Sequence, residues 1–167
     1  MTYEELEKRL KTLEDIEEIK QLQIRYVNCL TTTDWDGLID CFAEDAFVAL
    51  SEGYRGKKEI ARFYKGEIPL THVGREGNYV VHPIVLVDGD RAKGNWLLYT
   101  MFSQPHQLQT GAIPIPEDAP DWMQGFYEME YIREKGRWKI SLLKWNMRLV
   151  SPKPPESSAL NRIIGRT

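Results

Sequence analysis

Two stretches in the second half of this 167-residue chain do most to narrow what it can fold into. YVVHPIVLVDGDRAKGNWLLYTMF consists of two strand-like runs joined by Asp88-Gly89, and FYEMEYIREKGRWKISLLKWNMRLV repeats the design around Lys135-Gly136. A polar residue followed by glycine supplies the positive-φ backbone of a tight hairpin, so each stretch predicts a long β-hairpin. The chain therefore ends in a meander of about four long antiparallel strands. Between the hairpins lies SQPHQLQTGAIPIPEDAPDW, whose four prolines and lack of periodicity predict a long loop of the kind that serves as a lid or binding element.

The first half has a different period. Leu6, Leu10, Leu13, Ile16, Ile19 and Leu22 recur at steps of three and four, and Tyr26, Val27 and Leu30 continue the stripe. One long amphipathic helix fits, as do two in series. Thr2 with Glu5 and Thr12 with Asp15 are both capping pairs, the second allowing a break near Thr12. The run TTTDW ends the helix because β-branched residues and side-chain oxygens compete with helical geometry. Asp34 then caps a short helix through Trp35, Leu38, Ile39 and Phe42. AEDAFVALSEGYRG reads as a loop, a short strand and a turn, and KKEIARFYKG as a third helix closed by Gly66.

Helices first and a curved antiparallel sheet afterwards give an α+β domain with the helices on one face of the sheet. The last strand conflicts with a sheet that has one wet side. Trp138, Ile140 and Leu142 alternate onto one face, and Leu143, Trp145, Met147 and Leu149 onto the other. Either a C-terminal segment or a second subunit covering the outer set resolves the conflict, and the second subunit is the favoured expectation. Tyr127 and Tyr131 share a face of the third long strand with Met129 as core residues, whereas Glu128 and Glu130 point the opposite way.

The length suits one domain, residues 1–150, with an extended N-terminal helix and a tail over 151–167 that covers the pocket or a neighbouring subunit. A net charge of -3 argues against nucleic-acid binding, which needs a basic surface. The charged N-terminus has no apolar signal region and no run is long enough to span a membrane, so a cytoplasmic protein is expected. Cys29 and Cys41 then read as buried thiols rather than a disulfide. His72 and His82 stand ten residues apart and lack partners at ligand spacing, so no metal is expected.

IKQLQIRYVNCLTTTDWDGLIDCFAEDA resembles the opening of the SnoaL-like branch of the NTF2-like superfamily, with its arginine-tyrosine pair, its DWD helix start and its FAEDA segment. VDGDRAKGNW and REKGRWKIS resemble that family's two hairpins, and the likeness runs from about Asp15 to Val150. It implies a cone-shaped α+β barrel in which N-terminal helices pack on the curved sheet and enclose a pocket. The scytalone dehydratase and bile-acid dehydratase branch is the nearest likeness. By that resemblance Tyr26 polarises a substrate carbonyl and His72, facing the cavity, moves the proton, while His82, followed by proline, is structural.

The resemblance also shows departures. Thr31 stands where the branch has an acidic partner; its hydroxyl can orient an imidazole but cannot stabilise an imidazolium as a carboxylate does. Thr100 and Phe102 stand near a second family acid and a second family histidine, leaving that wall less polar. Arg148 matches an arginine of the last strand that could bind a carboxylate or phenolate. Trp96 and Phe102 are expected on the pocket floor, with Tyr127 as a further contact. The function implied is a cofactor-independent lyase or isomerase acting on a small polycyclic or aromatic ketone, steroid-like or polyketide-like. A non-catalytic binding protein for a small hydrophobic ring-bearing ligand and an accessory subunit of a ring-hydroxylating dioxygenase are the alternatives. The dehydratase relatives imply a homo-oligomer, a trimer first and a dimer second.

Overall fold

The computed structural model describes residues 1–50, 52–70, 76–102 and 121–151. The elements are α1 (Tyr3–Thr31), α2 (Trp35–Asp40), β1 (Phe42–Ala49), β2 (Tyr54–Arg55), α3 (Gly56–Arg62), β3 (Glu76–Asp88), β4 (Arg91–Phe102), β5 (Trp122–Glu134) and β6 (Arg137–Val150). After α3 the chain makes a π-turn, Phe63–Glu67, and one 3₁₀ turn, Ile68–Leu70. Six strands form one curved, unclosed sheet in the order β2-β1-β6-β5-β4-β3. The two expected hairpins make most of its antiparallel part, and β1 and β2 pair antiparallel at the other end. β1 enters parallel to β6, so the sheet is mixed.

α1 is a single helix. Its start is the expected capping box, with the Thr2 hydroxyl accepting from the Glu5 N–H at 3.1 Å and the Glu5 carboxylate accepting from the Thr2 N–H at 2.8 Å. No break occurs at Thr12, because its hydroxyl donates back to the Lys8 carbonyl at 3.0 Å and so is used inside the helix. The apolar stripe changes partner along its length. Leu6, Leu10 and Leu13 are exposed, whereas Ile19, Tyr26, Val27 and Leu30 are buried against the sheet and the shorter helices. Asp34 caps α2 by accepting from the Gly37 N–H at 3.0 Å. A side chain at Gly37 would put its Cβ 2.3 Å from that carboxylate, so glycine is required beside the cap.

The hairpin turns use the residues that the sequence points to. Gly89 has φ 56°, and Lys135 and Gly136 have φ 49° and 78°. β3 is an edge strand with a bulge between Val81 and Ile84, where His82 has φ 53° and precedes Pro83. Proline lacks the ladder donor, so an edge bulge is a place a strand accepts it.

The expected two-faced pattern of β6 is corrected by two further bulges. The register pairs Glu130 with Leu142 and Tyr131 with Ile140, which leaves Ser141 as an extra residue. Trp138, Ile140, Leu143 and Trp145 therefore all face the helices, and Leu143 is 0% exposed rather than part of an outer patch. A second shift pairs Gly125 with Met147 and Gln124 with Leu149, so Arg148 is the extra residue there. The outer face is apolar elsewhere. Tyr79, Val81, Ile84 and Leu86 of β3 are exposed on it, as are Met101 of β4 and Leu149 of β6. Glu128 and Glu130 lie on this face as expected, paired with Lys144 at 3.2 Å and Lys93 at 3.7 Å.

A buried ionic group ties α1 to the far end of the sheet. Asp15 is 4% exposed and accepts from Lys11 at 2.9 Å, from the Trp138 indole N–H at 3.2 Å and from the Arg133 guanidinium. Burial alone pushes the Asp15 carboxyl up, but these donors and the Arg133 charge hold it below the usual carboxylate range. Arg133 also stacks on Trp138 at 4.5 Å and reaches Asp90 at 3.0 Å. Cys29 and Cys41 are free, buried thiols, as expected. No helix among the described residues is long and apolar enough to cross a membrane. The expected loop role of residues 103–120 and the covering role of the tail beyond Ser151 lie outside the described residues.

Candidate functional site

The helices and the inner face of the sheet enclose a cavity of about 370 Å³. α1 contributes Tyr26 and Leu30, the segment after α3 contributes Phe63, Tyr64, Glu67 and Ile68, and the sheet contributes Asn78, Leu98, Thr100, Met123, Tyr127 and Trp145. Strand alternation accounts for the sheet contribution. Asn78 pairs with Thr100, which pairs with Met123, so one rung across β3, β4 and β5 faces inward. At Gly125, a Cβ would lie 2.3 Å from the Asn146 carbonyl oxygen and 2.5 Å from the Trp145 ring, so only glycine lets that ring lie flat against β5.

Three phenols meet in the interior. The hydroxyls of Tyr26 and Tyr64 are 2.8 Å apart, and the Tyr127 ring packs beside Tyr26. The rings of Tyr64 and Tyr127 meet the Tyr26 ring edge-on at 6.4 and 6.0 Å, and Phe42 meets it at 5.8 Å. Burial pushes all three phenols above their ordinary value, Tyr127 to about 12, and neighbouring phenols push Tyr26 further. They therefore stay protonated. Tyr26 and Tyr64 share one bond between two hydroxyls, which leaves one O–H of the pair able to donate to a bound oxygen.

Two other polar groups face the cavity. The Thr100 hydroxyl donates to the Asn78 side-chain oxygen at 3.0 Å, and the Asn78 amide donates to the Thr31 hydroxyl at 3.4 Å. On the opposite wall the Tyr54 hydroxyl donates to a Glu67 carboxylate oxygen at 2.7 Å, and the other Glu67 oxygen lies 3.9 Å from Arg62. That carboxylate pushes the Tyr54 phenol up to about 12.

The structure brings three of the expected residues, Tyr26, Thr100 and Tyr127, to this one cavity. Thr31 is one hydrogen bond behind it, through Asn78. Trp96 is not on the floor as expected. Its indole N–H donates to the Tyr131 hydroxyl at 2.9 Å, and that hydroxyl donates to Gln23 at 2.9 Å, so the ring is spent in a polar link between sheet and α1. Phe102 shares the inward face of β4 but stands at the strand end, half-buried and outside the described lining. Arg148 is exposed at the β6 bulge and does not reach the cavity among the described residues, because the extra residue turns it out of the alternation. His82 is exposed in the β3 bulge. His72 lies outside the described residues.

Tyr64, Glu67, Asn78 and the inward position of Trp145 escaped sequence reading. Asn78 could have been found from the β3–β4 register, since it lies opposite Thr100. Tyr64 and Glu67 had no such signal, because the π-turn changes which side chains share a face. Among the described residues no cluster of three or more His, Cys, Asp or Glu could hold a metal ion.

The SnoaL-like domain family matches residues 11–144 of the chain. Solved structures agree on the architecture. An NTF2-like protein with a cystatin-like fold from Novosphingobium aromaticivorans superimposes with a TM-score of 0.70 at 18% identity, covering 99% of this chain and 98% of that one. A hexachlorocyclohexane dehydrochlorinase, LinA type 2, gives 0.68 at 17% identity over 87% of this chain and 93% of its own. A provisionally named scytalone dehydratase from Novosphingobium aromaticivorans gives 0.66 at 15% identity over 84% and 88%. At these identities the likeness carries the fold.

Proposed function

The chain belongs to the SnoaL-like domain family, and from that premise we propose that it is a cofactor-independent lyase or isomerase acting on a small, uncharged, ring-bearing ketone. The observation that carries the reading is the buried phenol group at the cavity. The O–H that the Tyr26–Tyr64 pair leaves over can donate to a carbonyl oxygen as negative charge develops there. The described lining contains no lysine or arginine, which favours a neutral ligand over a carboxylate, and Arg148 is not placed to supply one. Leu30, Phe63, Leu98, Met123 and Trp145 offer flat apolar walls to rings. His72, from the family likeness, moves a proton at the carbon beside the carbonyl.

Turnover of cyclic ketones and their hydroxylated forms by His72→Ala and His82→Ala tests this. The first substitution is expected to lower kcat by about 10²–10⁴, the scale of a lost acid or base. The second is expected to leave it unchanged, since His82 is exposed in an edge bulge. Equal losses of activity, matched by equal losses of melting temperature, would return both histidines to structural roles. Thr31 in place of a carboxylate favours the second reading, a protein of this fold that binds such a ligand without converting it, whether alone or as an accessory subunit of a ring-hydroxylating dioxygenase.

The proposed homo-oligomer, a trimer first and a dimer second, rests on the outer face of the sheet. Ile84 and Leu86 are 61% and 69% exposed there, beside Tyr79, Val81 and Met101. Such a patch is on the order of several hundred Å², the upper end of what soluble monomers show. Light scattering at micromolar concentration is expected to give a multimeric mass that falls in Leu86→Lys. A monomeric wild type would remove the proposal.

A further inference from the structure

We infer that Glu67 is the cavity's proton-accepting carboxylate, the group this chain presents in place of the acid missing at Thr31. The inference rests on the ketone reading above and gives Glu67 the carbon-bound proton that the family likeness gives to His72. Among the described lining residues Glu67 is the one carboxylate, at the rim of the cavity with its side chain 44% exposed, and the cavity's other polar groups are phenols, an amide and a hydroxyl. The π-turn Phe63–Glu67 sets it there. In that turn Tyr64 supplies one of the phenols and Glu67 the carboxylate, so a single local distortion brings a hydrogen-bond donor and a proton acceptor to the lining of one cavity. Tyr54 holds one carboxylate oxygen at 2.7 Å, and its own ring is fixed by stacking on Phe63 at 4.2 Å. Arg62, at 3.9 Å, is too distant for a hydrogen bond and is drawn to Glu59 at 3.0 Å, so the carboxylate is oriented without being neutralised by a close ion pair.

The chemistry balances without an outside reagent. The carboxylate takes a proton from the carbon beside the carbonyl, the C–H electron pair forms the new carbon–carbon double bond, and the carbonyl π pair moves to oxygen. The enolate oxygen is held by the phenol O–H. Glu67, now a carboxylic acid, returns the proton to the same carbon or to a carbon conjugated with it, which is exchange or isomerisation.

The experiment is solvent exchange in deuterium oxide, followed by NMR on 2-tetralone and on a 3-keto steroid. Binding of each is measured separately by quenching of tryptophan fluorescence. Wild type is expected to accelerate exchange of the α-hydrogens. Glu67→Gln should lose that acceleration by about 10² or more with binding within about threefold of wild type. Tyr54→Phe should lower the maximum exchange rate with the dissociation constant unchanged. Glu67→Ala should regain exchange in proportion to added formate, which replaces the carboxylate and would not repair a purely structural defect. Glu67→Asp, expected to keep a fraction of the rate, serves if the larger changes unfold the turn. Full exchange in Glu67→Gln with loss in His72→Ala would overturn the role of Glu67 and leave the ketone reading standing. Binding without exchange by wild type would remove both roles and leave a binding protein. Neither binding nor exchange with either ketone would overturn the ligand class itself, and the Glu67 role with it.

Discussion

Tyr26→Phe is expected to lower kcat by about 10²–10³, the cost of removing one preorganised donor from a developing oxyanion. The ring stays, so packing against Phe42, Tyr64 and Tyr127 is kept and the loss falls on the hydrogen bond. Tyr26 is hydrogen-bonded to Tyr64 and packs edge-on against Tyr127, and its removal leaves the Tyr64 hydroxyl without that partner. Tyr64→Phe and Tyr127→Phe each keep the Tyr26 hydroxyl and should cost less. Because burial holds all three phenols protonated to well above neutrality, the donor should not titrate across the physiological range. A steady-state comparison of the three variants, with melting temperatures alongside, checks the order. An order in which Tyr26→Phe is the mildest would remove the phenol group from the mechanism.

Arg133→Met is expected to destabilise the fold by about 3 kcal/mol, the low end of what breaking a buried ion pair costs, because Lys11 and Trp138 still donate to Asp15. The sign of its pH dependence follows from Asp15. Its folded value lies below the unfolded one, so the contribution is present above the unfolded value and is lost as pH falls through the folded value. Urea melts at pH 7 should therefore separate wild type from variant, and the gap should narrow as the pH falls below the ordinary carboxylate range. A gap that stays constant with pH would mean that Arg133 stabilises by stacking on Trp138 alone.

Helices were legible where the period was long and the caps were local. The Thr2–Glu5 box and the Asp34 cap each depend on residues within three positions, and both formed as read. The Thr12 pair has the same composition and did not form a cap, since a threonine inside a helix can satisfy its hydroxyl on the preceding turn. The same locality explains the two hairpins, whose turn residues had to accept positive φ. Of the candidate site, Tyr26, Thr100 and Tyr127 were legible and do share a cavity, whereas Trp96 and Arg148 carried pocket chemistry in their residue types and stand elsewhere.

What the sequence determined by itself was the kind and order of elements, because helical period, caps and turn residues act within a few positions. The tertiary structure alone decided which face each strand residue presents. Alternation predicts a face only while the register is unbroken, and the bulges at Ser141, at Arg148 and between Val81 and Ile84 arise where strands must match neighbours distant in the chain. β6 meets β1 in parallel on one side and β5 antiparallel on the other, two constraints that no local stretch of sequence contains. The phenol group is decided in the same way. Residues 26, 64 and 127 come within reach of one another only after α1, the π-turn and β5 have packed around a common core.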